Sequence, residues 1–106
     1  MYVRVWEYEV PAGQVDAFVA AYGQSGAWVQ LFGRSKGYAG TRLFRDVDKA
    51  NRFLTVDRWT DAGCWEAFLR VWGSDYRELD QRLHELADGG EMIVDGSAGG
   101  IWPLTD

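Results

Sequence analysis

The residues best suited to chemistry lie between Arg52 and Trp72, in the run RFLTVDRWTDAGCWEAFLRVW. Thr55, Asp57 and Trp59 alternate there, so a strand would aim all three at one face. A carboxylate on a covered strand face has a raised pKa, because burial penalises its charged form, and it can act as a general base. Thr55 adds a hydroxyl that can donate or accept. Trp59, Trp65 and Trp72 are three of the six tryptophans and fall within fourteen residues. Trp65, Phe68, Trp72 and Tyr76 step at helical spacing. Aromatic walls and polar groups therefore meet where a strand ends and a helix begins, and a ligand site is expected there. Clustered indoles each carry an N–H that needs an acceptor, which suits an amphipathic ligand better than a purely apolar core. The competing reading makes the aromatic stripe a packing surface on a sheet. It makes Asp57 an ion-pair partner of a strand cation such as Arg4, Arg42 or Arg58.

Other reactive side chains carry weaker signals. His84 is the single histidine and falls off the apolar helix stripe, so it reads as a solvated helix residue. A lone histidine without Cys or His neighbours does not suggest a metal site. Cys64 is the single cysteine, which excludes an internal disulfide. It sits in the first turn of a helix, where the dipole lowers a thiol pKa, but no adjacent His supports nucleophilic chemistry. It reads as a packing residue. The run GSAGG follows a strand but opens no helix, so it is not a phosphate cradle.

The elements that position these residues can be read in order. Tyr2–Val10 alternates as a first strand, with Tyr2, Arg4, Trp6 and Tyr8 on one face and Val3 and Val5 on the other. Pro11 and Gly13 open a helix carrying Val15, Phe18, Val19 and Tyr22. Gly23–Gly26 breaks it, and Trp28, Leu31 and Phe32 resume the stripe to Gly33. A second strand spans Gly37–Asp46, with a bulge expected at Gly40. A polar turn leads to the third strand, Arg52–Trp59. Thr60 or Asp61 caps the next helix, whose stripe runs from Trp65 to Leu86. Gly73 and Ser74 are expected to nick it, with a second start near Asp75. Glu91–Gly96 is a short fourth strand. The order β-α-β-β-α-β implies an α+β fold of ferredoxin-like type, an antiparallel sheet with both helices on one face. Residues 1–97 form the domain, and residues 98–106 form a tail whose Trp102 should dock on this subunit or a partner.

The chain has 106 residues, enough for one domain, with 47% hydrophobic and 25% charged residues. Aromatics reach 15%, more than one small core needs, so a homodimer is expected to cover the surplus. The net charge of −5 and the lack of basic runs argue against nucleic acid. The start MYVRVWEYEV is not a signal peptide, and no apolar run nears the ~20 residues that span a bilayer. A cytoplasmic location is the expectation.

The elements VPAGQVDAFVAAYG, SGAWVQLF, KGYAGTRLFRD, FLTVDRWTDAGCWEAF and DYRELDQRL resemble those of the antibiotic biosynthesis monooxygenase family, over residues 2–96. The most specific features are Trp59 followed by Trp65, and the GAW–LF segment at 26–32. The resemblance implies a dimeric α+β barrel. It also implies cofactor-independent oxygenation of a phenolic or polyketide-type aromatic to a quinone, with no cofactor or metal. In that reading Thr55, Asp57 and Trp59 are catalytic. Trp28, Phe32, Trp65, Phe68, Trp72 and Tyr76 bind a small aromatic substrate. The chain departs from the quinone-forming pattern at Thr55, where an Asn is usual. It also lacks the strand-one Asn, the helix Trp and the His of haem-degrading members; Phe68 and Asp80 hold the helix positions. A non-catalytic binding protein, or a cyclase or isomerase using the same pocket, is the alternative.

Overall fold

Alternation and pairing decide the sheet. The computed structural model describes residues 1–87 and 90–97. Its strands are β1 (Tyr2–Glu9), β2 (Tyr38–Arg45), β3 (Arg52–Trp59) and β4 (Glu91–Ser97). They form one antiparallel sheet in the order β2-β3-β1-β4. Helices α1 (Val15–Tyr22), α2 (Ala27–Phe32) and α3 (Ala62–Arg82) supply the second layer. The α+β, ferredoxin-like architecture expected from the element order is the one found. The tail with Trp102 lies outside the described residues.

Strand β3 is central, and its burial alternates strictly. Phe53, Thr55, Asp57 and Trp59 are buried, while Arg52, Leu54, Val56 and Arg58 are partly exposed on the other face. Antiparallel pairing puts opposite residues on the same face. Arg4 pairs with Asp57, Trp6 with Thr55 and Tyr8 with Phe53. From the other side, Thr41 pairs with Asp57 and Leu43 with Thr55. The β2–β3 hairpin turns at Asp46, whose Oδ1 accepts from the Asp48 and Lys49 amides at 2.7 and 3.0 Å. The irregularity foreseen at Gly40 is present: the register shifts between Tyr38 and Gly40, and Gly40 has φ 117°, a conformation that favours glycine.

The helical layer follows the apolar stripes. Phe18, Tyr22, Trp28, Leu31, Phe32, Trp65, Phe68 and Leu79 bury against Phe53 and Trp59 of the sheet. The first helix divides at Gly23–Gly26 as its glycines predict. Asp61 caps α3 by accepting from the Cys64 amide at 2.9 Å. The nick expected at Gly73–Ser74 does not occur, and α3 runs unbroken for 21 residues. Leu69, Trp72 and Tyr76 keep packing on the core across buried Gly73. That contact outweighs the ~1 kcal/mol cost of one helical glycine. A 3-10 turn, His84–Leu86, follows the helix.

Among the described residues, no helix covers the opposite face of the sheet. Val3, Val5, Leu54 and Val56 are only partly exposed there, but Phe44 and Val94 are 50% and 46% exposed. Both faces of the sheet therefore carry apolar side chains.

Candidate functional site

Asp57 is the centre of the site because β3 aims it inward and both neighbouring strands cover it. It is 8% exposed. The Thr41 hydroxyl donates to its Oδ1 at 2.7 Å, and the Tyr38 hydroxyl lies 2.5 Å from Thr41 Oγ1. A threonine hydroxyl has one proton. When Thr41 gives it to the carboxylate, Tyr38 must be the donor to Thr41. Burial pushes the Asp57 pKa up to about 6, while the Thr41 hydrogen bond and the Arg4 charge oppose the rise. A carboxylate so placed is a competent general base near neutral pH.

Asp57 opens onto a cleft of about 320 Å³ between the sheet and the helices. Trp6, Tyr8, Tyr22, Trp28, Phe32 and Tyr76 supply its aromatic surface. Thr41, Thr55 and Asp57 supply polar groups from the sheet, and Asp80 and His84 do so from the C-terminal end of the helical layer. The volume suits one small ring system. Burial raises the pKa of Tyr8, Tyr22 and Tyr76, so these phenols keep their protons and act as hydrogen-bonding groups. Trp28 Nε1 is a buried donor with no acceptor in hydrogen-bonding geometry, although it is near enough to the Tyr22 hydroxyl to offset part of that phenol's rise.

Arg4 stands on the same face beside Asp57 but does not line the cleft. Its guanidinium lies 4.1 Å over the Trp65 ring, donates to the Tyr2 hydroxyl at 3.1 Å and sits 3.6 Å from Asp95 Oδ2. The Tyr2 hydroxyl also bonds to Asp95. Arg4 is thus a paired charge that acts on Asp57 through space.

The candidate residues separate into two groups. Thr55, Asp57, Trp28, Phe32 and Tyr76 come together around the cleft. Trp59, Trp65, Phe68 and Trp72 do not line it. Trp59 is fully buried and packs at 5.2–5.5 Å on Phe32, Tyr38, Trp65 and Phe68. Phe68 is also fully buried, and Trp72 lies under the Arg34 guanidinium at 4.8 Å. For these aromatics the packing reading describes what the structure shows. His84, read as a solvated helix residue, is exposed but sits in the turn after α3 on the cleft wall. The Cys64 thiol is not lowered by the helix dipole, because a hydrogen bond with Asp61 and partial burial raise it. It packs so closely on Gly37 that a Cβ there would lie 2.3 Å from it.

Sequence reasoning missed Thr41, Trp6, Tyr8 and Asp80 as lining groups. The alternation of β1 already put Trp6 and Tyr8 on one face. Thr41 could have been found by extending the β2–β3 hairpin register from its turn. Asp80 could not, because only the docking of α3 brings it to the cleft. Among the described residues no three His, Cys, Asp or Glu side chains are grouped to hold a metal ion, and no helix is long and apolar enough to cross a membrane.

With this geometry in view, comparison with known proteins identifies the class. The family model for antibiotic biosynthesis monooxygenases matches residues 1–71, and the chain belongs to that family. Among solved structures it is similar to a proposed antibiotic biosynthesis monooxygenase from Nitrosomonas europaea, with a TM-score of 0.68 and 14% identity over 93% of this chain and 91% of that one. A proposed family member from Deinococcus radiodurans gives a TM-score of 0.66 and 14% identity over 100% of both chains. A mutant form of SnoaB from Streptomyces nogalater, a cofactor-independent oxygenase, gives 0.65 and 18% identity over 99% of this chain and 97% of that one. At these identities the likeness is one of fold. No curated protein matches the chain.

Proposed function

We propose that this protein is a cofactor-independent monooxygenase that converts a phenolic or polyketide-type aromatic to a quinone. The observation that carries the reading is Asp57, a buried carboxylate with a pKa near 6 that opens onto an aromatic cleft. Asp57 takes a proton from the activated ring carbon or its hydroxyl. The resulting anion passes one electron to dioxygen, the two radicals combine as a carbon-bound peroxide anion, and protonated Asp57 returns its proton to give the hydroperoxide. Loss of water leaves a carbonyl, so one CH2 and one O2 become one C=O and one H2O. Thr55 and Tyr76 hydrogen-bond the developing oxyanion. Trp28 and Phe32 hold the ring and exclude water. Trp59, Trp65, Phe68 and Trp72 act from behind as the rigid support of this wall.

A homodimer belongs to the same proposal. Val5, Leu54, Val56, Phe44 and Val94 make an apolar stripe on the open sheet face, and a second copy packed sheet to sheet would cover it.

Oxygen uptake with an anthrone and a dihydroxynaphthalene tests the chemistry. Wild type should exceed the spontaneous rate, and Asp57→Asn should return to it. Thr55, in place of the Asn of quinone-forming relatives, favours a second reading in which the same base drives an isomerisation or cyclisation. Product formation under strict anaerobiosis selects that reading.

A further inference from the structure

The lining of the cleft is unbalanced in charge. Among its described lining residues the acids are Asp57 and Asp80, and none is Lys or Arg. Among the described lining residues His84 alone has a side chain able to carry positive charge. Arg4, whose charge reaches Asp57 and the Tyr76 hydroxyl, does not itself line the cleft and is paired with Asp95.

The walls are continuous aromatic surface. Trp6 and Tyr8 lie 6.5 Å apart, Tyr8 and Tyr22 5.1 Å, Tyr22 and Trp28 6.0 Å, and Trp28 and Tyr76 5.3 Å. Ring faces around an organic cation attract it through their quadrupoles, and a nearby carboxylate adds to the attraction. Asp80 lines the cleft beside these rings and its charge reaches the Tyr22 hydroxyl, whereas at Tyr76 the Arg4 charge outweighs it. A carboxylated ligand would instead meet two acids and electron-rich ring faces, and among the described lining residues no arginine or lysine receives it.

We propose that the cleft takes an aromatic ligand bearing a protonated amine, held at the rim between Tyr22 and Asp80, and that it disfavours the matching carboxylate. The proposal rests on the reading of this cleft as the ligand site and narrows it. The ring enters first, toward Asp57, and the amine remains at the mouth.

Calorimetric titration with three probes of one shape tests it: 2-naphthylmethylammonium, 2-naphthylmethanol and 2-naphthoate. The ammonium should bind tightest and the carboxylate weakest, with about tenfold or more between them. Asp80→Asn should shrink that ratio several-fold and leave the alcohol unchanged. Glu66→Gln, an exposed α3 carboxylate away from the cleft, should leave the ratio intact. Equal affinities, or a preference that Glu66→Gln weakens as much as Asp80→Asn, would overturn the charge preference while leaving the cleft as a ligand site. Failure of all three probes to bind folded protein would sink both this inference and the reading beneath it.

Discussion

Asp57 can act as a base only when ionised, and its pKa near 6 follows from burial set against one hydrogen bond and one cation. For proton abstraction, kcat/KM should therefore rise through about pH 6 and level off above it. Asp57→Asn should lower turnover by about 100-fold or more while ligand affinity persists. Arg4 favours the charged carboxylate. Its replacement by Gln should carry the rising limb to higher pH, and Arg4→Lys should restore it in part. A pH profile identical to wild type in Arg4→Gln would remove Arg4 from this role.

At the scale of elements, the site depends on how tightly the helices seat. The α1–α2 junction turns at Gly26, where an added Cβ would lie 2.1 Å from the Ala21 carbonyl oxygen. No side-chain rotation relieves a clash with backbone. Gly26→Ala should cost about 1–3 kcal/mol or more in urea unfolding, and Trp28 on the next turn should move with it. Asp61→Ala, which removes the α3 cap, should lower the urea midpoint. Because Asp61 is remote from the cleft, the remaining folded protein should keep its ligand affinity.

The whole molecule carries two further expectations. If a second copy covers the open sheet face, Phe44→Glu together with Val56→Asp should yield monomer in sedimentation experiments. The buried carboxylate also sets a pH dependence of stability. Its ordinary pKa is 3.8 and its folded value about 6, so between them the native state keeps a proton that the unfolded chain has lost. Stability from this group is full below about pH 4, falls as pH rises and is lost above about pH 6, a change of about 3 kcal/mol in all. Asp57→Asn should flatten that part of the curve in denaturant titrations across pH 3–8.

The element order, the inward face of β3 and the division of the first helix were all legible in the chain. They follow from alternation, helical spacing and glycine position, which act over a few residues. Asp57 was also legible as a buried carboxylate, because its strand parity matches that of Phe53 and Trp59. The sorting of the aromatics was not. Trp59 and Trp28 carry the same indole, yet one is sealed in the core and the other lines the cleft. That difference depends on how α2 and α3 dock on the sheet. The partners of Asp57 also come from elsewhere in the chain. Thr41 faces it through hairpin register, and Arg4 faces it through pairing across 53 residues of sequence. Local pattern set which face each side chain took. The sheet register and helix docking, which are long-range packing, decided which of them share a cavity.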